Sequence, residues 1–424
     1  MIKNSMDDFY YKNGELIVEN TPISNIAKEL KTPFYCYSSR RLKKNFNNLK
    51  NSLAGLNSTI YFAVKSNSNI SIIKTLSDEG AGADVVSEGE IRKSIKAGIS
   101  PNKIVFSGIG KTENEIAYAV KKNIFQINIE SESELIKINN IANSLNKKVN
   151  IGIRVNPDIN ANTHKKISTG TAENKFGIGW LQAREVFNNA KNMNHLNING
   201  IAIHIGSQLL DLSPLDKAFE KVREYIKILY EDGINIKNID LGGGIGVSYS
   251  GEKSPSAEDY SRVVKNHFKD FNNHFMFEPG RYLIANAGVL VTKVIYIKNS
   301  ESKKFVIVDA GMNDLLRPAL YDSKHDIKPV VEDNYINNIK NAEIVGPICE
   351  SSDTFSRHFE YTKLDENDLL AIMTTGAYGS VMSSYYNTRP LIPEVIVNQL
   401  NFTIIRKRPS YDEMFATENF ASWQ

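Results

Sequence analysis

Residues 59–69 read TIYFAVKSNSN, an apolar run that stops at Lys65 and continues into a polar stretch. The β-branched and aromatic side chains of the run are typical of a buried strand. A lysine at the end of such a strand is usually a solvated loop residue. The same position also suits a reactive amine, because removal from water lowers the pKa of a lysine and favours the neutral, nucleophilic form.

Seven further strand-like runs follow, and helix-like stretches separate them. The eight runs are 59–64, 83–86, 103–106, 125–129, 149–155, 198–204, 237–241 and 274–278. Strands that alternate with helices predict right-handed βαβ units and a parallel sheet. Eight of them favour a closed α/β barrel, the (β/α)8 or TIM-like fold. An open Rossmann-type sheet is the alternative, but no GxGxxG motif follows the first strand.

The pattern changes after about residue 283, where strand-like runs come without long helices between them. These runs are 288–297, 304–309, 342–345, 369–374, 394–397 and 402–405. They predict a mainly antiparallel β domain, and we expect the early runs 8–19 and 33–37 to join its sheet, because edge strands need cover.

The predicted domains are therefore a barrel over 39–282 and a β-sandwich or barrel-like domain made of 1–38 and 283–424. The long polar connection 156–179 is expected to form an active-site lid.

Composition excludes several classes of protein. The chain has 424 residues, 41% of them hydrophobic, and a net charge of +3 spread along its length, which gives no basic surface for nucleic acid or membrane. The N-terminus has no signal-peptide core, and no apolar run reaches membrane length. Cys36 and Cys349 lie far apart and form no metal-binding pair. We expect a cytoplasmic enzyme without a metal.

Polar or glycine residues follow each of the eight predicted strands, where a barrel carries its function. They are Lys65, Ser87, Ser107 with Gly108, Glu130, 154–156, His204, 242–244 and Glu278. The glycines 242–244 would let an anion such as phosphate approach the backbone, although they could equally form a tight turn. Glu278 begins the motif EPGR, in which it could pair with Arg281 at the surface or act inside the barrel mouth.

Two more residues have alternative interpretations. His204 is either a core histidine or a ring that stacks on a flat cofactor, with Ser207 as a further donor. Cys349, in GPICES (346–351), is either a buried structural thiol or a proton donor beside the carboxylate of Glu350. An amine, a phosphate cradle, a stacking ring and a carboxylate for a pyridine nitrogen are together what pyridoxal 5'-phosphate (PLP) requires.

Ten motifs carry a family resemblance over nearly the whole chain. They are YFAVKSNSN (61–69), RVNPD (154–158), THKKISTG (163–170), ENKFGI (173–178), HIGSQ (204–208), LGGGIG (241–246), EPGR (278–281), VDAGMNDLLRPALY (308–321), GPICES (346–351) and GAYGSVMSSYYNTRP (376–390). In these motifs and their order the chain resembles the PLP-dependent fold type III decarboxylases that act on ornithine, arginine and diaminopimelate, and specifically the diaminopimelate decarboxylase branch.

The resemblance implies a role for each site residue. Lys65 would bind PLP covalently, His204 would stack on its ring, and Glu278 would keep its ring nitrogen protonated. The phosphate and substrate would be surrounded by Ser207, Gly243, Gly244, Gly280 and Arg281. The substrate carboxylate would be held by Arg281, Arg317 and Tyr321. Glu350 would hold the distal ammonium, Tyr378 would touch cofactor and substrate, and Cys349 would protonate the carbanion.

The resemblance further implies the decarboxylation of meso-2,6-diaminopimelate to L-lysine and CO2, the last step of lysine biosynthesis. The enzyme would be a homodimer in which Cys349 and Glu350 serve the partner's site. Two residues depart from the family pattern, since Ser66 replaces an alanine and Ser352 a glycine.

Three alternatives stay open. A decarboxylase of ornithine, arginine or carboxynorspermidine often carries Asp at the position of Glu350. A racemase needs a second base, for which Cys349 is a poor candidate. An inactive PLP-binding homologue would be expected to lack Lys65 or Cys349, and both are present.

Overall fold

The computed structural model describes residues 8–161, 165–167, 169–170, 173–301, 303–332, 339–361 and 364–424. They form two compact units. The barrel unit comprises residues 43–248 and 252–283, and the β unit comprises the described residues up to 42 together with 249–251 and 284–424. The domain limits given above stay a prediction. In the described ranges, no helix has both the length and the apolar composition of a membrane span.

The chain begins with a small N-terminal sheet, a five-residue strand and a helix that leads from the β unit into the barrel unit. The elements are β1 (Phe9–Lys12), β2 (Glu15–Val18), β3 (Thr21–Pro22), α1 (Ile23–Leu30), β4 (Phe34–Ser38) and α2 (Ser39–Ser52). Strands β1, β2 and β3 form an antiparallel sheet of their own. The buried carboxylate of Glu19 anchors this segment. It accepts hydrogen bonds from the Ser38 hydroxyl at 2.8 Å and from the backbone amide of Gln399 at 2.6 Å.

The barrel unit then alternates strands and helices. Its elements are β5 (Ser58–Ala63), α3 (Ile70–Asp78), β6 (Gly82–Val85), α4 (Glu88–Lys96), β7 (Ile104–Phe106), α5 (Glu113–Lys122), β8 (Gln126–Ile129), α6 (Glu132–Ser144), β9 (Val149–Asn156), β10 (Ile178–Gly179), α7 (Trp180–Lys191), β11 (Leu196–Ala202), α8 (Ser213–Glu231), β12 (Asn238–Asp240), α9 (Ala257–Phe268), β13 (His274–Phe277) and α10 (Arg281–Ile284).

Eight parallel strands close into a barrel in the order β5-β6-β7-β8-β9-β11-β12-β13. Closure comes from pairing of β13 with β5, in which Phe277 lies opposite Ile60. This confirms the predicted (β/α)8 barrel and rules out the open sheet. The short strand β10 adds to β9 outside the barrel order. The predicted lid, 156–179, falls partly outside the described residues.

Side-chain capping explains one of the polar strand ends and the start of the next helix. Ser87 caps α4 by accepting a hydrogen bond from the amide of Glu90, and Thr112 forms a capping box with Glu115 at the start of α5. Each cap satisfies amides that a helix leaves unpaired in its first turn. The polar residue after β6 is therefore structural.

The β unit continues with strands and two short helices. They are β14 (Gly288–Asn299), β15 (Lys304–Val308), α11 (Arg317–Tyr321), β16 (Ile327–Pro329), β17 (Ile339–Val345), β18 (Thr354–Tyr361), β19 (Leu369–Ile372), β20 (Glu394–Asn398), β21 (Asn401–Arg406) and α12 (Tyr411–Phe415). Short 3-10 turns occur at Val64–Ser66, Pro101–Lys103, Lys165–Ile167, Ala285–Ala287, Ser380–Met382 and Tyr386–Thr388.

The main sheet of the β unit runs β18-β17-β15-β14-β4-β20-β21, and β19 pairs with β14 and β16. Most pairs are antiparallel, as predicted, whereas β15–β17 and β20–β4 are parallel. The prediction for 33–37 is confirmed, because β4 lies between β14 and β20. The prediction for 8–19 is wrong, because β1 and β2 pair with each other as a hairpin and β2 pairs with β3, in a separate sheet.

Candidate active site

Lys65 lies in the 3-10 turn that directly follows β5. Its Nζ is 2.9 Å from Oδ2 of Asp84 on the neighbouring strand β6. The lysine side chain is 37% exposed, whereas the Asp84 side chain is fully buried. The sequence analysis missed Asp84, although a carboxylate inside the apolar run 83–86 was a usable signal. The ion pair holds the amine at the carboxyl ends of the first two barrel strands.

The glycines after β12 form a close-packed loop. Gly242 and Gly244 have φ of +65° and +114°, a region that glycine adopts without strain. A Cβ at Gly243 would overlap the carbonyl oxygen of Glu278, and one at Gly280 would lie 2.8 Å from Oγ of Ser66. Side chains are therefore excluded from this part of the barrel mouth.

The same loop has the donors that an anion needs. Within the part of the chain that the structure describes, the amides of Gly244 and Gly280 donate to no other group. Such amides, in a loop without side chains, are suited to phosphate oxygens. Ser66 is one of the two departures from the family pattern. It leaves this space open, because its buried hydroxyl donates to the carbonyl of Ala63 at 2.7 Å.

His204 follows β11 and is largely removed from solvent. Its Nδ1 accepts a hydrogen bond from the Gly243 amide at 3.3 Å, which leaves Nε2 to carry the proton. Burial, and after it the charges of Arg154 and Lys65, lower the pKa of His204 well below its ordinary value. The ring is thus neutral and flat. Its own carbonyl is held by the hydroxyl of Thr169 at 2.9 Å.

Arg281 begins α10 and is 5% exposed. Its Nε and Nη2 donate to the hydroxyl of Ser207 at 3.3 and 3.1 Å. The contact brings a guanidinium and a hydroxyl from two different strand ends together beside the glycine loop, which adds positive charge to the proposed anion site.

Glu278 ends β13 and is 8% exposed. Its Oε1 is buried and has no hydrogen-bond partner among the described residues. Burial, together with the charges of Asp240 and Asp84, raises the pKa of Glu278 well above its ordinary value. A buried carboxyl oxygen without a partner needs a donor, and the protonated ring nitrogen of PLP is such a donor. The residues of the barrel mouth therefore fit this cofactor.

Cys349 and Glu350 lie on an exposed turn between β17 and β18 of the β unit. Glu350 accepts hydrogen bonds from the hydroxyls of Tyr386 at 2.6 Å and Ser352 at 2.9 Å, and these contacts lower its pKa. The buried structural thiol is Cys36, so that interpretation of Cys349 is wrong. The sequence analysis missed Tyr386, although it belongs to one of the quoted motifs.

Arg317 and Tyr321 both belong to α11. Arg317 is 4% exposed and donates to His325 Nε2 at 3.4 Å and to the Ser323 hydroxyl at 3.1 Å. Its guanidinium lies 4.8 Å from the ring of Tyr249 and 5.9 Å from the ring of Tyr321. The sequence analysis did not single out His325 or Tyr249, which orient this arginine.

The predicted site residues thus fall into separate groups. One group meets at the carboxyl ends of the barrel strands and consists of Lys65, His204, Ser207, Gly243, Gly244, Glu278, Gly280 and Arg281. The remaining predicted residues lie in the β unit, where Cys349 and Glu350 share one turn and Arg317 and Tyr321 share one helix. Tyr378 follows β19 with φ of +54°, in a loop of the same unit.

Comparison with known proteins identifies the family. The model of the pyridoxal binding domain of pyridoxal-dependent decarboxylases matches residues 39–285. Diaminopimelate decarboxylase from Zymomonas mobilis is 45% identical over 423 residues, which cover 99% of this chain and all of that protein.

Two solved structures are similarly close. Diaminopimelate decarboxylase from Helicobacter pylori, complexed with L-lysine, has a TM-score of 0.90 at 44% identity and covers 93% of this chain and 98% of that one. The enzyme from M. jannaschii, in co-complex with L-lysine, has a TM-score of 0.93 at 35% identity and covers 98% and 99%. The chain belongs to the diaminopimelate decarboxylase family of pyridoxal-dependent decarboxylases.

Proposed function

We propose that this chain decarboxylates meso-2,6-diaminopimelate to L-lysine and CO2 with PLP as its cofactor. The observation that carries the proposal is the buried, unpartnered Oε1 of Glu278, in the same barrel mouth as the Lys65 amine and the glycine loop. Relatives that bear the name diaminopimelate decarboxylase, and similar structures that contain L-lysine, support the choice of substrate and product.

The barrel unit would hold the cofactor. When bound, PLP supplies an electron sink that stabilises the electron pair left behind as CO2 departs. Lys65 would provide the covalent attachment through Nζ, and Asp84 would hold that atom in place and accept its proton. His204 would cover one face of the ring and, being neutral, would add no charge beside it. The glycine loop, Ser207 and Arg281 would bind the phosphate.

Glu278 would hold a proton at the ring nitrogen. Its value lies in a buried acceptor oxygen that is already in place where positive charge must persist during the reaction. Such electrostatic stabilisation in a site sheltered from water is often worth several kcal/mol of barrier.

The β unit would supply the groups that select and protonate the substrate. We propose that the enzyme is a homodimer, in which the exposed turn with Cys349 and Glu350 completes the site of the partner subunit. Cys349 would protonate the carbon that loses CO2, and Glu350, ionised and held by Tyr386, would bind the distal ammonium. Arg281, Arg317 and Tyr321 would bind carboxylate, and Tyr378 would contact cofactor and substrate.

Substrate selection would follow from charge. A substrate with a second amino-acid centre pairs with both Glu350 and the arginines, whereas ornithine would leave an arginine unpaired, which is costly in a buried site. We further propose a reducing, cytoplasmic setting, because the exposed thiol of Cys349 must stay reduced to donate a proton.

Two measurements test the proposal. Purified wild-type protein should show the visible absorbance of covalently bound PLP, and Lys65→Ala should lack it, with Lys121→Ala at the exposed end of α5 as a lysine control outside the site. CO2 release should be much faster from meso-diaminopimelate than from lysine, ornithine or arginine. Activity on ornithine without activity on diaminopimelate would disprove the assignment.

A further inference from the structure

The interior of the barrel contains a continuous chain of polar side chains. Gln126 donates to Asn128 Oδ1 at 2.8 Å, Asn238 donates to Gln126 Oε1 at 3.1 Å, and Asn128 donates to Asp240 Oδ2 at 3.0 Å. All four residues are at most 5% exposed. Barrel interiors are usually filled by branched apolar side chains, and buried polar groups persist only when they are hydrogen-bonded. This polar chain is therefore a built feature of the barrel.

Glycines on two neighbouring strands make room for the polar chain. A Cβ at Gly152 on β9 would overlap Gln126 Nε2 and lie 2.6 Å from Asn128 Oδ1. A Cβ at Gly200 on β11 would lie 3.3 Å from Gln126 Oε1. The side chains thus reach across the barrel from β8 to β12 because the strands between them lack side chains at this level.

The polar chain ends at Asp240, which also contacts Glu278. Oδ1 of Asp240 accepts a hydrogen bond from the backbone amide of Gly242 at 3.0 Å, and Oδ2 accepts one from the side-chain amide of Asn128. Gly242 holds Glu278 beside Asp240, because its amide donates to Oδ1 of Asp240 and its carbonyl accepts the Glu278 backbone amide at 2.7 Å. Ionised carboxylates only accept hydrogen bonds and repel each other, so two buried carboxyl groups in this arrangement favour one proton between them. Because Asp240 already accepts from two donors, the proton belongs on Glu278.

The charges around the pair agree with a retained proton. Asp84 on β6 is a third buried carboxylate, and Lys65 is the nearby cation that opposes it. The hydroxyls of Tyr61 on β5 and Tyr260 on α9 also face the pair, and its negative charge adds to the effect of burial in raising their pKa values. Burial raises the pKa of Asp240 to about 6 and raises that of Glu278 well above its ordinary value. Two full negative charges side by side here would be costly.

We propose that Asp240 is a positioning residue that shares one proton with Glu278 and thereby fixes Oε1 of Glu278 toward the ring nitrogen of the cofactor. The pair then carries one negative charge in total, and the polar chain through Asn128 keeps Asp240 in place. The inference rests on the proposed role of Glu278, and its first test is independent of PLP.

The first test is infrared spectroscopy of the full-length chain after PLP has been removed with hydroxylamine. Well above pH 7, where Glu90 and Asp314 with pKa values raised to about 7 are ionised, wild type should still show the carbonyl stretch of one protonated carboxyl group per chain. Glu278→Gln and Asp240→Asn should each lose this band, because either change leaves one carboxylate with an amide donor. Asn128→Ala should keep the band at a shifted frequency, and Asp314→Asn, which alters a buried carboxyl of the β unit, should leave it unchanged.

Persistence of the band in both Glu278→Gln and Asp240→Asn would overturn the shared proton. If Asp240→Asn fails to fold, Glu278→Gln alone decides this point by the same criterion. The result is separate from the proposed function, which fails if Lys65→Ala still binds PLP covalently.

The second test is a double-mutant cycle on PLP affinity. Asp240→Asn should weaken PLP binding about tenfold in wild type and about twofold or less in the Glu278→Gln background, because a positioning residue acts through its partner. Equal effects in the two backgrounds would show that Asp240 acts independently of Glu278 and would overturn the positioning role.

Discussion

At the scale of single residues, the ion pair between Lys65 and Asp84 gives the lysine a partner that the sequence does not predict. The sequence presents Lys65 as an isolated amine, whereas the fold pairs it with a fully buried carboxylate at 2.9 Å. Removal of one member of a buried pair leaves the other charge uncompensated, although exposure of Lys65 reduces the effect. The variant that tests covalent PLP binding therefore also perturbs stability.

We expect Lys65→Ala to lower the free energy of unfolding of the PLP-free chain by about 1–2 kcal/mol, since Asp84 is then buried without its cation. The double variant Lys65→Ala/Asp84→Asn should recover most of this loss. Urea unfolding followed by circular dichroism measures both. An equal loss in the single and double variants would show that the ion pair does not account for the effect.

His204 makes a prediction about pH. Its pKa in the folded chain is well below the ordinary 6.5, so below that pH the unfolded chain binds a proton that the folded chain does not. The contribution of His204 to stability is therefore present above pH 6.5 and is lost as the pH falls. His204→Asn should show a weaker decline of unfolding free energy in acid than wild type, and parallel pH curves would contradict this.

At the scale of an element, the loop after β12 depends on backbone contact rather than on side chains. Gly243 packs directly on the carbonyl of Glu278, and its amide donates a hydrogen bond to Nδ1 of His204. His204 and Glu278, which follow the strands on either side of β12, are thus both contacted by one residue without a side chain. A methyl group there has no flexible neighbour to displace.

Gly243→Ala is expected to cost about 1–3 kcal/mol of unfolding free energy, because the backbone of Glu278 must shift, and to weaken PLP binding. Gly110→Ala is the matched control, since a Cβ at that exposed glycine would have no neighbour within 4 Å. The control should stay within about 0.5 kcal/mol of wild type. Chemical unfolding and PLP titration of the two variants test the loop, and indistinguishable variants would count against it.

At the scale of the whole molecule, the proposed dimer divides the chemistry between two subunits. The turn with Cys349 is exposed on its own unit, which suits a group that acts in a partner's site. Lys65→Ala and Cys349→Ala should each be inactive alone. A heterodimer of the two variants should regain about half of wild-type activity, because one of its two sites is then intact.

Complementation is measured on heterodimers purified through two different tags, with wild type treated in the same way as the reference. Inactive heterodimers would mean that Lys65 and Cys349 act within one chain, and the shared site would have to be abandoned.

Alternation of strands and helices predicted the barrel, and motif spacing predicted most of the residues at its mouth. Both are local patterns, since a strand's run and the polar residue that ends it are adjacent in sequence. The N-terminal strands 8–19 were misassigned because a local hairpin competes with pairing to the distant sheet, and residue type alone does not decide between the two. Asp84 and Tyr386 were not predicted as site residues, because their partners are distant in sequence.

By itself, the sequence determined the class of fold and the family of chemistry and predicted the reactive lysine, because these depend on residue type and local order. Only the tertiary structure decided that Asp84 pairs with Lys65, that Glu278 keeps one oxygen unpartnered, and that a polar chain crosses the barrel to Asp240. Protonation and hydrogen bonding depend on burial and distance, which arise only when separate strands close into one barrel.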